Sequence, residues 1–494
     1  MARVRGGGIV FPEKKATAGM TIMPMAVPEK VYIPMKQAPG EVYLPIVGPG
    51  DRVRLGQLIA EAGSPGCAPI HSSVSGEMIS IDRLSAQMDK GELYMIIKTD
   101  GRQELDPEVR PPRIRNSFEF FEAVRGSGIV DFGRNRTPLV SMLERAEGKS
   151  IKALIINGTE PEPYVSVCAM NIQSFPEFLR DGTLTVMDRL SIPSGIIAVG
   201  SGMKDAISMV QSRIAGESRL SLFSVRNFFP SGNDTVLIHE LTGELLPPGK
   251  APEDMGYLVL GAQTVIKLAE FLTTGMPLVS RSLTVDGDAV SKPRNVEAPI
   301  GTHAADILEF CGGEKKPIRK MIIGGPVTGR AIESREYSVG KDDSAMLCFS
   351  ELYTPHARES ACIGCMSCAD CCPMSLMPRF IMRAAITGDR DELRRLAAAS
   401  CLDCGACSFV CPARIALGDR MKYAKSLLSD AAGAKAAGAK SAASAVTPAG
   451  RAGEAGAQKA GSRPSGRGRS AGSSSSSKKT RESKGKGGRG ERKK

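Results

Sequence analysis

The sequence predicts an α+β multidomain chain, and three observations predict it. Strand-rich, α/β-alternating and small β-rich stretches follow one another along the chain. Two cysteine runs then sit inside short helical patterns, and a basic stretch without aromatic residues follows them. The 494 residues leave room for roughly three or four domains at about 150 residues each. The net charge of +12 is not spread evenly. Residues 431–494 hold 16 Lys/Arg against 3 Asp/Glu, and the other residues together are near neutral.

Residues 1–110 are read as a strap followed by a β domain. The strap is rich in Pro and Met, as in Phe11-Pro12, Met23-Pro24-Met25 and Ile33-Pro34-Met35, which favours extended chain. Short strands follow, separated by tight turns such as Gly48-Pro49-Gly50-Asp51. The phrase Gly50 to Gln57 resembles the turn of lipoyl-like barrel-sandwich domains, without the lysine such carriers present. His71 lies at a strand edge, where a structural role is expected over a ligand or acid role. Residues 115–275 alternate buried-strand runs, Ala153 to Gly158 and Gly195 to Gly200, with helix-period segments, Lys204 to Ile214 and Ala262 to Thr273. That alternation predicts an α/β, Rossmann-like domain around a parallel sheet. Residues 276–350 return to short strands, Leu283 to Asp288 and Met321 to Pro326, and predict a small β-grasp domain. Residues 354–430 carry the cysteines, with helices expected from Arg379 to Thr387 and Arg390 to Ala399. Residues 431–494 are rich in Ala, Gly, Ser, Lys and Arg and are expected to be disordered, because they cannot bury enough apolar surface to offset ordering.

The cysteine runs carry the chemistry. Cys362, Cys365, Cys368 and Cys372 precede Pro373; Cys401, Cys404, Cys407 and Cys411 precede Pro412. Both read C-x2-C-x2-C-x3-C-P, the bacterial ferredoxin spacing for [4Fe–4S] clusters. Three closely spaced thiolates wrap three corners of one cubane, and the Pro-flanked fourth serves the other cluster. The expected sets are therefore Cys362, Cys365, Cys368 with Cys411, and Cys401, Cys404, Cys407 with Cys372. Structural zinc uses paired C-x2-C arms instead, and disulfide frameworks belong to short secreted chains. Cys371 is expected to pack rather than ligate. Cys67, Cys168, Cys311 and Cys348 are scattered and read as buried small hydrophobes. The N-terminus lacks an apolar core for secretion, and no stretch approaches the roughly 18 apolar residues of a spanning helix, so a reduced, cytosolic setting is expected.

Taken together these residues resemble RnfC, the family of peripheral proteins in the Rnf electron transport complex that is related to the flavin-bearing NADH-oxidising protein of complex I. The resemblance covers residues 5–425. It runs from Gly7-Gly8-Ile9 with Pro12-Glu13-Lys14, through Val47 to Gln57 and His71 to Gly76, to Asn157-Gly158-Thr159-Glu160-Pro161-Glu162-Pro163-Tyr164. It continues with Gly324-Gly325-Pro326 and Gly329, then both cysteine runs. It implies a barrel-sandwich hybrid domain, a flavin/NADH-binding-like domain, an SLBB-like β-grasp and a two-cluster ferredoxin-type domain. Glu160 and Glu162 would suit ribose or ring contacts; alternatively they are solvated loop carboxylates beside prolines. Three stretches depart from the family pattern. Its glycine-rich flavin loop has Asp131, Arg134 and Arg136 where glycines are expected, and Met142 where a lysine is expected. Phe229 to Thr235 and Gly261 to Thr264 differ as well. Because such loops approach phosphate with bare backbone N–H groups, FMN and NAD(H) binding is expected to be weakened, altered or lost.

The resemblance implies a peripheral electron-transfer subunit at the cytoplasmic face of the bacterial inner membrane. It would pass electrons to the membrane subunits of an ion-pumping complex and receive them from NADH, a ferredoxin or a flavodoxin. No side chain needs to act as general acid or base, and NADH dehydrogenase activity of its own is not assigned. A soluble flavin-dependent NADH reductase of the cobalamin type, and a nucleic-acid-binding or adaptor protein with structural clusters, are the alternatives. The basic tail suits anionic lipid, at about 1 kcal/mol per Lys/Arg, or a solubilising role. Its lack of aromatic residues argues against sequence-specific nucleic-acid recognition.

Overall fold

The structure is a computed structural model describing residues 3–5, 7–12, 14–35, 43–64, 67–83, 93–132, 137–351 and 358–429. All lie within the compact unit Met1–Lys435. The basic stretch 431–494 and the loop residues Arg134 and Arg136 lie outside the described residues.

The chain opens with an antiparallel hairpin, Arg3–Arg5 against Gly8–Val10. The strap that follows is extended and adds the strand Ile22–Pro24, parallel to Arg294–Pro299, to a sheet formed much later in the sequence. A buried polar knot fixes it there. Asn295 Nδ2 donates to the Thr17 and Met20 carbonyls, both at 3.0 Å, and Asn295 Oδ1 accepts from Ser166 and Thr284 hydroxyls at 3.0 and 2.9 Å.

Two small sheets then face each other. One has the order Lys30–Pro34, Leu93–Thr99, Gly76–Arg83, Arg52–Val53; the other has the order Tyr43–Pro45, Leu58–Ala62, Ile70–His71. Alternate residues point inward, as a half-buried strand requires, so Val31, Ile33, Ile59, Met78, Met95 and Ile97 form the core between them.

The central domain holds a four-stranded parallel sheet in the order Leu220–Val225, Gly195–Gly200, Ala153–Gly158, Tyr257–Gly261. Its inner strands are apolar on both faces because helices cover both sides. The strand order reverses between Ala153–Gly158 and Tyr257–Gly261. Their carboxyl ends, Asn157-Gly158 and Gly261, therefore flank the crevice where open α/β sheets bind ligands. The helix Ala262–Thr274 leaves the second of these strands directly and ends at Gly275, whose φ of +80° closes the helix in the left-handed region.

The third layer is a six-stranded sheet in the order Arg330–Ile332, Lys320–Ile323, Ala345–Phe349, Ser280–Asp286, Arg294–Pro299, Ile22–Pro24, packed under the helix Ala304–Phe310. The cysteine-rich region is helical: Pro378–Thr387 and Arg390–Arg395 are separated by Gly388 and the N-cap Asp389, whose side chain accepts from Glu392 N at 2.9 Å. The second helix ends earlier than its sequence pattern suggests. Ala397 adopts a left-handed φ of 51°, and a short 3-10 turn, Ala398–Ser400, leads into Cys401.

Buried polar side chains tie these layers together. Lys341, 1% exposed, donates to the carbonyls of Pro69 at 2.6 Å and Gly128 at 2.9 Å, so one ammonium joins three parts of the chain. His71 lies beside it, 7% exposed, and its Nδ1 finds no hydrogen-bond partner among the described residues. His71 is thus buried at the end of its strand beside the Lys341 ammonium.

Burial, with the Lys341 ammonium adding to it, pushes the His71 imidazole down to about 3. The neutral ring belongs to the folded state, so its contribution is whole above the unfolded value near 6.5 and is lost as pH falls from there towards 3. Stability measured by urea unfolding should fall by about 2 kcal/mol from this residue between about pH 6.5 and 5, and His71→Gln should flatten that limb. An unchanged slope in the variant would show that other groups set the acid sensitivity.

Candidate functional site

The eight cysteines of the two runs gather into two tetrads, each around its own cavity. Cys362, Cys365, Cys368 and Cys411 line one, with Arg379 and Met382. Cys372, Cys401, Cys404 and Cys407 line the other, with Leu376 and Met421. Each cavity thus takes three sulfurs from one run and the fourth from the other.

Local backbone makes this convergence possible. Between the first cysteines of each run the chain enters the left-handed region, at Gly364 and Met366 (φ 76° and 63°) and at Asp403 and Gly405 (φ 55° and 75°). Alternating handedness curls three successive thiols around one point. Two short helices, Ser367–Asp370 and Ala406–Phe409, then carry Cys368 and Cys407. The Leu376 N–H points at Cys372 Sγ and the Asp403 N–H at Cys401 Sγ, each at 3.4 Å. Lys425 steadies the second loop by donating to the Cys401 carbonyl at 3.1 Å and pairing with Asp403 at 2.5 Å.

The tetrads differ in exposure. Cys362 and Cys365 are exposed, whereas all four thiols of the second set are half-buried. Burial pushes the Cys401 thiol up to about 11 and also raises Cys372, Cys404 and Cys407. Cys365 is lowered by its hydrogen bond with Ser367. Cys371 lines neither cavity; it is fully buried among Ile9, Phe229 and Ala406.

A third, much larger cavity of about 1420 Å³ opens at the carboxyl ends of the parallel sheet. Its walls include Asn157, Phe229, Gly261 to Gln263, Arg281 and the turn around Gly325, and Leu402, Asp403 and Cys404 reach it from the cysteine region. Cys404 therefore faces both the second tetrad and the cleft. Glu160 and Glu162 both line it, and both are engaged by protein donors. Glu160 accepts from Cys168 N at 2.7 Å at the start of the helix Val167–Ser174 and pairs with Lys15 at 3.7 Å; burial raises its carboxyl while Lys15 opposes. Glu162 accepts from Val327 N at 2.7 Å and from the Thr328 hydroxyl. A side chain at Gly325 would meet Glu162 Oε2 at 2.1 Å, so this close approach requires glycine.

Asp131, where the sequence lacks an expected glycine, is fully buried at the start of the helix Ala262–Thr274. It accepts from Gly261 N at 2.9 Å and from the Thr264 hydroxyl at 2.6 Å. Arg281 is buried nearby, its guanidinium 3.6 Å from the Phe132 ring centroid. Arg281 and Lys341 carried no local signal in the sequence: each is an isolated cation whose partners come from distant segments.

The residues present fit two iron–sulfur clusters, since two separate four-thiol sets each enclose a cavity. They fit a flavin phosphate poorly at the switch-point helix, because a buried carboxylate already accepts from the Gly261 N–H and the Thr264 hydroxyl there.

Comparison with known proteins supplies the family. The RnfC barrel sandwich hybrid domain matches residues 3–102, the Nuo51 FMN-binding domain 124–270, the SLBB domain 282–331 and the 4Fe-4S dicluster domain 355–412. This order agrees with the fold class anticipated from the residues. The chain is 32% identical over 376 residues to the RnfC protein of the Na(+)-translocating ferredoxin:NAD(+) oxidoreductase complex of Acetobacterium woodii, covering 75% of this chain and 85% of the relative. It is 31% identical to the proton-translocating counterpart of Clostridium ljungdahlii, over 78% and 84% of the two chains. It is also 30% identical to the RnfC protein of the ion-translocating oxidoreductase complex of Rhodobacter capsulatus, over 86% and 83%. An NAD+-reducing [NiFe]-hydrogenase in the H2-reduced state aligns at 15% identity and a TM-score of 0.44, over 64% of this chain and 63% of that one. With a barrel-sandwich domain, an FMN-binding-type α/β domain, an SLBB domain and a dicluster domain in sequence, the chain belongs to the RnfC family.

Proposed function

We propose that this chain is the peripheral electron-transfer subunit of a membrane-bound, Rnf-type, redox-driven ion-translocating complex, passing electrons through two [4Fe–4S] clusters to membrane subunits. The observation that carries this reading is the division of eight cysteines into two tetrads around separate cavities. Cys362, Cys365, Cys368 and Cys411 would hold one cluster, and Cys372, Cys401, Cys404 and Cys407 the other. Three sulfurs from one run and one from the other is the sharing pattern of paired cubanes, whereas structural zinc is gripped by paired two-cysteine arms. A [4Fe–4S] cluster supplies one-electron uptake and release at a potential set by charge, hydrogen bonds and exposure.

The protein's part is to hold and differentiate the two positions. The second tetrad is half-buried and two of its sulfurs receive backbone N–H groups; the first has two exposed thiols. These unequal surroundings would separate the two potentials. The place of Cys404 on the wall of the large cleft supports reading that cleft as the side on which a donor docks, and the departures around Asp131 favour a protein donor such as a ferredoxin or flavodoxin over NADH. Among the described residues no helix is long and apolar enough to cross a membrane. Attachment at the cytoplasmic face would come through partner subunits, with the basic tail drawn to anionic lipid. The flavin-dependent reductase and nucleic-acid readings are not favoured.

Anaerobically purified protein should contain about eight irons and eight sulfides per chain, as two cubanes require. Cys365→Ser and Cys404→Ser should each remove or convert one cluster and leave the electron paramagnetic resonance signal of the other. Loss of one shared signal in both variants would overturn the two-tetrad assignment. Cys371→Ala should keep the full iron content and lower stability by about 1 kcal/mol, the cost of a small buried truncation. An iron loss in that variant would make Cys371 a ligand.

A further inference from the structure

We infer that Asp131 is a built-in surrogate for a cofactor phosphate, so that the FMN-binding-type domain of this chain is closed to phosphate-bearing flavins and nucleotides. The inference rests on the chain's place in the RnfC family and does not need the electron-carrying role proposed above.

In an open parallel sheet the ligand phosphate sits where the strand order reverses, against the amide end of the helix that follows. Here that helix is Ala262–Thr274, thirteen residues long, and its N-cap Gly261 has no side chain to satisfy the first amides. A bare helix end of this kind is positive and draws an anion. The anion present is Asp131, 0% exposed, with its Oδ1 accepting from Gly261 N and the Thr264 hydroxyl.

The surroundings of the carboxylate are fixed by several segments. Asp131 N donates to the Thr137 carbonyl at 2.8 Å, and Val130 bridges to Pro138, which pins the two ends of the loop together. The next residue, Phe132, donates its N–H to Thr264 Oγ1 at 3.2 Å, and its ring lies under the Arg281 guanidinium. Arg281 in turn donates to Gln263 Oε1 at 2.8 Å, on the first turn of the same helix. A phosphate brought to this helix end would meet a buried carboxylate of like charge that already engages the Gly261 N–H and the Thr264 hydroxyl. A glycine at this position would leave the donors bare.

The test uses the full-length, anaerobically purified protein with its iron and sulfide measured first, so that failure of the cluster assignment is seen separately. FMN, riboflavin and inorganic phosphate are added to wild type, Asp131→Gly and Asp131→Asn, and binding is read by flavin fluorescence quenching and by the melting temperature. Wild type should purify without flavin and show no shift with any of the three. Asp131→Gly should melt lower, recover with FMN or phosphate, and bind FMN at least about tenfold more tightly than wild type while its riboflavin affinity stays unchanged. Asp131→Asn keeps an oxygen for both donors and removes the charge, so it remains folded should the glycine variant not, and shows a smaller gain of the same kind. Stoichiometric FMN in wild type, or variants no more responsive than wild type, would overturn the inference.

Discussion

The structure depends on one geometric constraint: four thiols must surround each of two points, and each set borrows its fourth thiol from the other run. Cys411 belongs with the first run and Cys372 with the second. Neither run can complete its cavity alone, so the two runs must pack against each other. The helices Pro378–Thr387 and Arg390–Arg395 between them serve this packing, burying Ile381, Ala385 and Leu393 together with Leu376 and Met421 beside the second tetrad. Helices this short are not stable on their own in water, so the packing and the cysteine geometry hold one another in place.

The second constraint is positional. The cysteine region meets the α/β domain and the SLBB-type sheet at the large cleft, and buried polar groups hold the cleft's walls. Glu160 ties the strap to the helix Val167–Ser174, Glu162 ties the α/β domain to the turn at Val327 and Thr328, and Asn295 and Lys341 fasten the strap and the N-terminal sheets. The N-terminal hairpin adds a further clasp: Ile9 exchanges backbone hydrogen bonds with Phe229, and Phe11 packs edge-on against Phe409 beside the second cysteine run. Buried charges of this kind are costly to break, since removing one partner strands the other without water.

The cysteine tetrads were legible in the sequence because their information is local: spacing fixes which three thiols can share a cavity, and Pro373 and Pro412 mark the fourth. The strands Ala153–Gly158 and Gly195–Gly200 and the helix Lys204–Ile214 were legible for the same reason, their periodicity being contained within each segment. The pairing of Ile22–Pro24 with Arg294–Pro299 was not, because a three-residue extended segment carries no record of a partner so far along the chain. The acidic loop was legible as a motif, but what Glu160 and Glu162 hold was hidden. Lys15 and Thr328 come from opposite sides of the sequence, and only the assembled fold shows them meeting those carboxylates.

That non-local assembly also brings the three departing stretches to one place. The stretches beginning at Gly128, Phe229 and Gly261 are far apart in the chain, yet Phe132, Phe229 and Gly261 line one cleft. Under the inference above, a pocket without an anionic ligand has no need of bare glycines in the walls that would touch it. The helix end must still be satisfied, because an empty buried amide end is itself destabilising. Asp131, on the nearest loop, supplies an acceptor at that end for the Gly261 N–H and the Thr264 hydroxyl. The cysteine tetrads have no comparable substitute, since a cubane needs four thiolates and a single side chain cannot stand in for it. The same sequence can therefore differ around the cleft and retain all eight thiols beside it.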